Sequence, residues 1–265
     1  MHGAPILPVV QCLNGVIQMN EIMEIYDNFS DVGISTRKIT EGKEFDLVKQ
    51  FIDFRKDSFC PTDNNNMAIF IESKVNNSYP DIVFVEYDPN NYVNWSSSRN
   101  KLISSDLKIL YHIYISKNID ATSIVSQLGV TWKETLLSIE KLYDSKLISR
   151  KNNGWYIRNK NSISLKKIEA VEAKLEKLDD VFQQALINKN FASESYILSI
   201  RKNGLPKNKL NLFNKFGIGI YMQDNYGFQV LNQSKKSSIP VGFYSIYFNE
   251  WVGRILNRNN EGFVN

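Results

Sequence analysis

The sequence predicts an α/β (α+β) chain: a mixed central sheet flanked by helices, with a compact helical unit inserted into it. Three observations lead there. Apolar residues recur at helical spacing in some segments and in short β-branched or aromatic runs in others, as in "EFDLVKQFIDF" against "MAIFIES" and "DIVFVEYD". Residues 104–158 read as three helices and a hairpin. The charge also divides: residues 1–98 hold 7 Lys+Arg against 14 Asp+Glu, residues 99–160 hold 11 against 5, and residues 161–265 hold 14 against 9. Positive charge in the middle and the end is what a polyanionic partner requires.

At 265 residues and 43% hydrophobic, the chain is long enough for one large domain or two small ones. Cys12 and Cys60 form no metal spacing and no disulfide framework, so a reducing cytoplasm is expected. The N-terminus lacks a basic segment before its apolar residues, and no run approaches the roughly 20 apolar residues of a membrane span. His2 and His112 have no partners for a triad or a metal. Asn-rich "DNNNM" and "NRNN" reflect codon bias or loops rather than a special function.

Residues 1–40 form an N-terminal extension with one expected helix, "MNEIMEIYDNF", carrying Met19, Ile22, Met23 and Tyr26 on one side. Then come a first helix, "EFDLVKQFIDF", a first strand, "MAIFIES", and a second strand led by Pro80-Asp81.

The inserted unit spans 95–160. Ser104 or Ser105 caps a helix with Leu107, Leu110, Tyr111, Tyr114 and Ile115 on one side. Asp120 or Thr122 opens a short second helix, Gly129 makes the turn, and Thr131 caps a third. "LISRK" and "WYIR" flank Asn153-Gly154, a strong hairpin signal. In that order the segment resembles a winged helix-turn-helix. The resemblance implies that Thr131, Trp132, Lys133 and Thr135 on the third helix read base edges in the major groove. It also implies that Arg150 and Lys151 meet phosphates, with Asn152 and Asn153 at the tip of the wing. Winged helices also dock proteins.

The segment "LKKIEAVEAKLEKLDDVFQQALINKN" admits two readings. Ile168, Val171, Leu175, Leu178, Val181 and Phe182 suit one face of a long helix, in which Glu172 and Lys174 would be solvated charges. The alternative is a strand to about Leu175 and then a helix, which sets Glu172 and Lys174 on one strand face. A carboxylate can hold a divalent ion there while the neighbouring ammonium orients or polarises water.

Pro80-Asp81, Glu172-x-Lys174, a helix containing "FQQAL" and the strand "SYILSI" together resemble the PD-(D/E)XK nuclease superfamily. The order α-β-β-(insert)-β-α-β covers roughly residues 41–232, and "KNKLNLFNKFGIGIYMQDNYGFQVL" adds a helix and a hairpin. The resemblance implies a restriction-endonuclease-like domain from 41–94 and 161–265. It makes Asp81 and Glu172 ligands of Mg²⁺ (or Mn²⁺), with Glu44 as a further ligand. Lys174 becomes the catalytic amine, and Gln183 or Gln184 an auxiliary polar group. Asp81 and Glu172 stand 91 positions apart where the family has a short turn, and the insert accounts for the interval. An inserted unit whose ends are close costs little closure entropy. A second E-x-K, Glu72 and Lys74, precedes Pro-Asp and is expected to be an exposed face.

The expected function is divalent-metal-dependent cleavage of double-stranded DNA, in a restriction or defence setting that rests on the resemblance. A homodimer would provide one site per strand. The alternatives are a DNA-binding regulator on a nuclease-like scaffold and a protein-docking module. The aromatic tail, Phe243 to Trp251, is expected to be a packed terminal helix rather than a stacking platform for bases.

Overall fold

A computed structural model describes residues 11–13, 16–18, 22–175, 178–200 and 206–261. Strands β1 (Gln11–Leu13) and β2 (Val16–Gln18) pair with each other. The body of the protein is a seven-stranded mixed sheet. In chain order its strands are β3 (Met23–Ile25), β4 (Asn66–Ile71), β5 (Ile82–Tyr87), β8 (Leu165–Ala173), β9 (Glu194–Ile200), β10 (Gly219–Asp224) and β11 (Gly227–Asn232). They lie side by side in that same order.

Strand β8 is the centre of the molecule. It runs antiparallel to β5 and parallel to β9, and Ile168, Ala170 and Val171 are fully buried. Its sequence, LKKIEAVEA, buries Glu169 and Glu172 among its apolar residues, so no clean polar–apolar alternation marks it as a strand. Ladder pairing on both sides decides the conformation. The helix resumes only as α5 (Leu178–Asn188), which carries the crossover to β9.

One face of the sheet packs on α1 (Lys43–Ser58) through Leu47, Val48, Phe51 and Ile52, against Ile71, Ile82 and Val171. Burying each such side chain stabilises the fold by about 1.5–3 kcal/mol. This face also holds a buried ion pair, Arg55 with Glu169, joined by Lys167 and the Tyr221 hydroxyl. The opposite face packs on α5, α6 (Lys207–Phe216) and α7 (Phe243–Glu261).

Residues 95–160 form α2 (Ser104–Ser116), α3 (Ala121–Leu128), α4 (Trp132–Asp144) and the hairpin β6 (Ile148–Lys151) and β7 (Gly154–Ile157). Asp120 caps α3, Gly129 takes a left-handed conformation, and Thr131 caps α4 with Glu134 closing the capping box. The cap of α2 departs from expectation: Ile103 is the N-cap, and the Asp106 carboxylate accepts from its N–H (2.9 Å). The hairpin turn is Asn152-Asn153, both with positive φ, and Gly154 opens β7. Gly154 is needed for space, because a Cβ there would meet the Asn118 side chain.

The insert is clamped to α7. Ile246 belongs to the insert's apolar core, while Phe248, Trp251 and Val252 pack on the central sheet. Arg99 forms a buried bidentate pair with Glu250, and Asn249 holds the Tyr92 hydroxyl and the Ser164 N–H. Both connections to the insert are thereby fixed to one helix.

One expectation fails near the N-terminus. The helix over "MNEIMEIYDNF" does not form: Met23–Ile25 is an edge strand parallel to β4, and Ile25 is in the core. Met19 to Glu21 lie outside the described residues.

Candidate active site

The ladder that joins β4, β5 and β8 ends in the row Ile71, Ile82 and Val171, all facing α1. The next row is Glu72, Asp81 and Glu172. Glu172 lies within β8 and so points to the opposite side of the sheet, whereas Asp81 stands just before β5 and Glu72 just after β4, where φ is +51°. Three acidic residues on adjacent chain segments are thus close enough for the charge of Asp81 to act on both Glu72 and Glu172. Sequence separation hides the arrangement, since the insert occupies the interval between Asp81 and Glu172.

Each acid is held differently. Asp81 accepts the Ala173 N–H through Oδ2 (2.7 Å), and its Oδ1 lies 3.8 Å from Arg37. Burial raises its carboxyl above the usual range, partly offset by that N–H, Arg37 and Lys174. Glu172 is buried, and Asn188 at the end of α5 donates to its Oε1 (2.6 Å). Its Oε2 is buried with no partner. Burial and then the charge of Asp81 push Glu172 well above the usual carboxylate range. Glu72 receives the Arg37 guanidinium (2.6 Å), and burial with the charge of Asp81 lifts it to about 7.

Lys174, two residues beyond Glu172, projects an ammonium that bonds Glu44 Oε2 (2.8 Å). That bond raises the Lys174 pKa and keeps it cationic. Glu44, in the first turn of α1, is brought to the site and is half-exposed. Asp81, Glu172 and Lys174 thus stand near one another, and Glu44, expected as a further ligand, is engaged by Lys174 instead.

Other expectations are corrected. Gln184 is not a site residue: it and Gln183 are exposed on α5, whose buried stripe is Val181, Ala185 and Asn188. The polar side chain of α5 that reaches Glu172 is Asn188. A polar residue at the third position of that i, i+4, i+7 stripe was the available signal. Glu72 is not on an exposed face. It stands one residue past the apolar run of β4, as Asp81 stands one residue before that of β5. Arg37 had no local signal; it arrives through a bridge between Thr36 and Ser73.

On the insert, Trp132, Lys133, Arg150, Lys151, Asn152 and Asn153 are exposed. The Thr131 hydroxyl is engaged in its cap with Glu134. Thr135 cannot reach a base edge, because it is fully buried and its hydroxyl donates to the Thr131 carbonyl. His112 contacts Gln127 (2.9 Å).

The donor set was weighed for a divalent cation. Among the described residues, no three His, Cys, Asp or Glu side chains form a metal-holding cluster. Mg²⁺ is commonly held by only one or two carboxylates, with water and substrate phosphate completing its shell. Asp81 and Glu172, with one orphaned oxygen and raised pKa values, fit that role.

Comparison of the chain with protein-family models, curated proteins and solved structures found no match. The geometry itself defines a mixed α/β protein with a seven-stranded sheet and a carboxylate row at its centre. No helix among the described residues is long and apolar enough to cross a membrane.

Proposed function

We propose that this chain is a divalent-metal-dependent DNA endonuclease of the PD-(D/E)XK type, with the insert acting as a winged helix that holds the duplex. The observation that carries this reading is the register, which continues from Ile82 opposite Val171 to Asp81 opposite Glu172, with the Lys174 ammonium close enough to couple to both acids. Asp81 and Glu172 would hold Mg²⁺ or Mn²⁺, which supplies Lewis acidity and a more acidic bound water. The Ala173 N–H fixes one oxygen of Asp81, and Asn188 fixes one of Glu172, so the remaining oxygens are preoriented. Lys174, kept protonated by Glu44, stabilises negative charge on the attacked phosphate or orients water rather than removing a proton. Arg37 adds a second cation on the exposed side. Two copies would serve the two strands of a duplex.

The test is incubation with plasmid and phage DNA in Mg²⁺ or chelator. Glu172→Ala and Lys174→Ala are expected to keep DNA binding and lose cutting. Wild-type cutting by both variants would overturn the assignment.

A second reading is supported by α4. Its exposed side carries Trp132, Leu136, Leu137 and Tyr143 beside Glu134, Glu140 and Asp144, a surface suited to a protein partner. Binding that weakens steeply with salt favours DNA on the insert; salt-insensitive association favours a protein.

A further inference from the structure

A second concavity lies on the same side of the sheet as the carboxylate row. It encloses about 240 Å³ between α7 and the two segments that bring Arg37 and Glu72 to the site. Tyr244, Tyr247 and Trp251 form its aromatic wall, and Ser35, Lys74 and Asn76 supply polar groups. The wall is rigid. The rings of Tyr244 and Tyr247 stack (5.7 Å between centroids, 26°), and Tyr247 meets Trp251 edge to face. Trp251 in turn rests on Phe70 of β4, two residues before Glu72.

The concavity is joined to the acidic row by a short ladder. The Arg37 N–H donates to the Glu72 carbonyl (2.9 Å), and the Lys74 N–H donates to the Ser35 carbonyl (2.7 Å). The Arg37–Glu72 end faces Asp81; the Ser35–Lys74 end lines the concavity. Two residues along an extended chain cover roughly 7 Å, close to the spacing between neighbouring nucleotides on one strand. Among the described residues Lys74 makes no ion pair, and its side chain is exposed.

We propose that this concavity is a nucleobase subsite, which takes one base turned out of the polynucleotide while its phosphate meets Lys74. The proposal rests on the phosphodiesterase reading of the Asp81–Glu172 site. The volume lies below the roughly 300–1,000 Å³ of drug-sized pockets, so a single ring system is the matching occupant. Stacked aromatic rings bind any base face, and hydroxyl and amide groups at the rim can meet its edge. A packed terminal helix and a stacking wall are therefore the same element: α7 buries Trp251 and leaves Tyr244 and Tyr247 half-buried at the concavity.

The test is calorimetric titration of the full chain with each of the four deoxynucleoside monophosphates, and with inorganic phosphate, in chelator. Wild type and Glu172→Gln are expected to bind at least one nucleotide alike. Tyr244→Ala should weaken binding about tenfold or more. Lys74→Ala should weaken the nucleotide but leave the corresponding nucleoside unchanged. No nucleotide binding, equal binding by Tyr244→Ala, or phosphate binding as tight as the nucleotide would each overturn the subsite. If nucleotide binds as expected but DNA is never cut, the endonuclease reading fails and the pocket stands. If DNA is cut while no nucleotide binds, only the pocket fails.

Discussion

Asn188 donates to one oxygen of the Glu172 carboxylate over 2.6 Å, and the other oxygen is buried without a partner. A buried carboxylate held on one side only carries an unreturned desolvation cost. Such costs persist at functional sites, where a ligand meets the open group.

Glu172→Gln is therefore expected to stabilise the protein by about 0.5–2 kcal/mol at neutral pH while abolishing metal-dependent cutting. Because folding raises the Glu172 pKa, its favourable contribution is present below the ordinary carboxylate pKa and is lost as pH rises. The stability gap between variant and wild type should widen from pH 4.5 upward in urea denaturation. A variant less stable than wild type at pH 8 would refute this.

Glu72 has a defined window. Burial and the Asp81 charge lift it from 4.5 to about 7 against the opposing pull of Arg37. Wild-type stability should fall as pH climbs from about 4.5 to about 7, and Glu72→Gln should flatten that slope. Tm measured across pH 4–8 decides it; parallel profiles would count against the row geometry.

Divalent cation should raise Tm with no DNA present. Saturation at 100 times Kd corresponds to about 2.7 kcal/mol, and the gain should grow through the same pH window as the acids ionise. Asp81→Asn is expected to lose most of it. An equal Tm gain in that variant would place the cation elsewhere.

The buried pair of Arg99 with Glu250 sets how the insert sits on the body. Arg99→Leu should cost about 3–5 kcal/mol by stranding Glu250, and Arg99→Leu with Glu250→Leu should recover most of the loss. A double-mutant cycle by chemical denaturation measures the coupling. Additive losses would mean the two residues act independently.

If the wing touches DNA phosphates, Arg150→Ala and Lys151→Ala should each reduce the slope of log K against log salt by about 1. Unchanged slopes would remove the wing from the interface.

Local chemistry by itself determined most of the secondary structure. The caps at Asp120 and Thr131, the left-handed Gly129, the alternation after Asp81 and the apolar stripe of α1 are short-range effects that the residues announce. Asp81, Glu172 and Lys174 could be picked out because a strand spacing of two puts chemistry on one face. Tertiary structure decided what no local pattern holds. Pairing of β8 on both sides overrode a helical periodicity, and edge pairing with β4 turned Met23–Ile25 into a strand. The pairing of β5 with β8 brought Glu172 beside the Glu72–Asp81 hairpin pair from 91 positions away, with Arg37 next to them. Which glutamate is solvated and which is buried depends on neighbours that arrive only when the sheet closes, because desolvation and charge coupling are properties of the assembled surroundings.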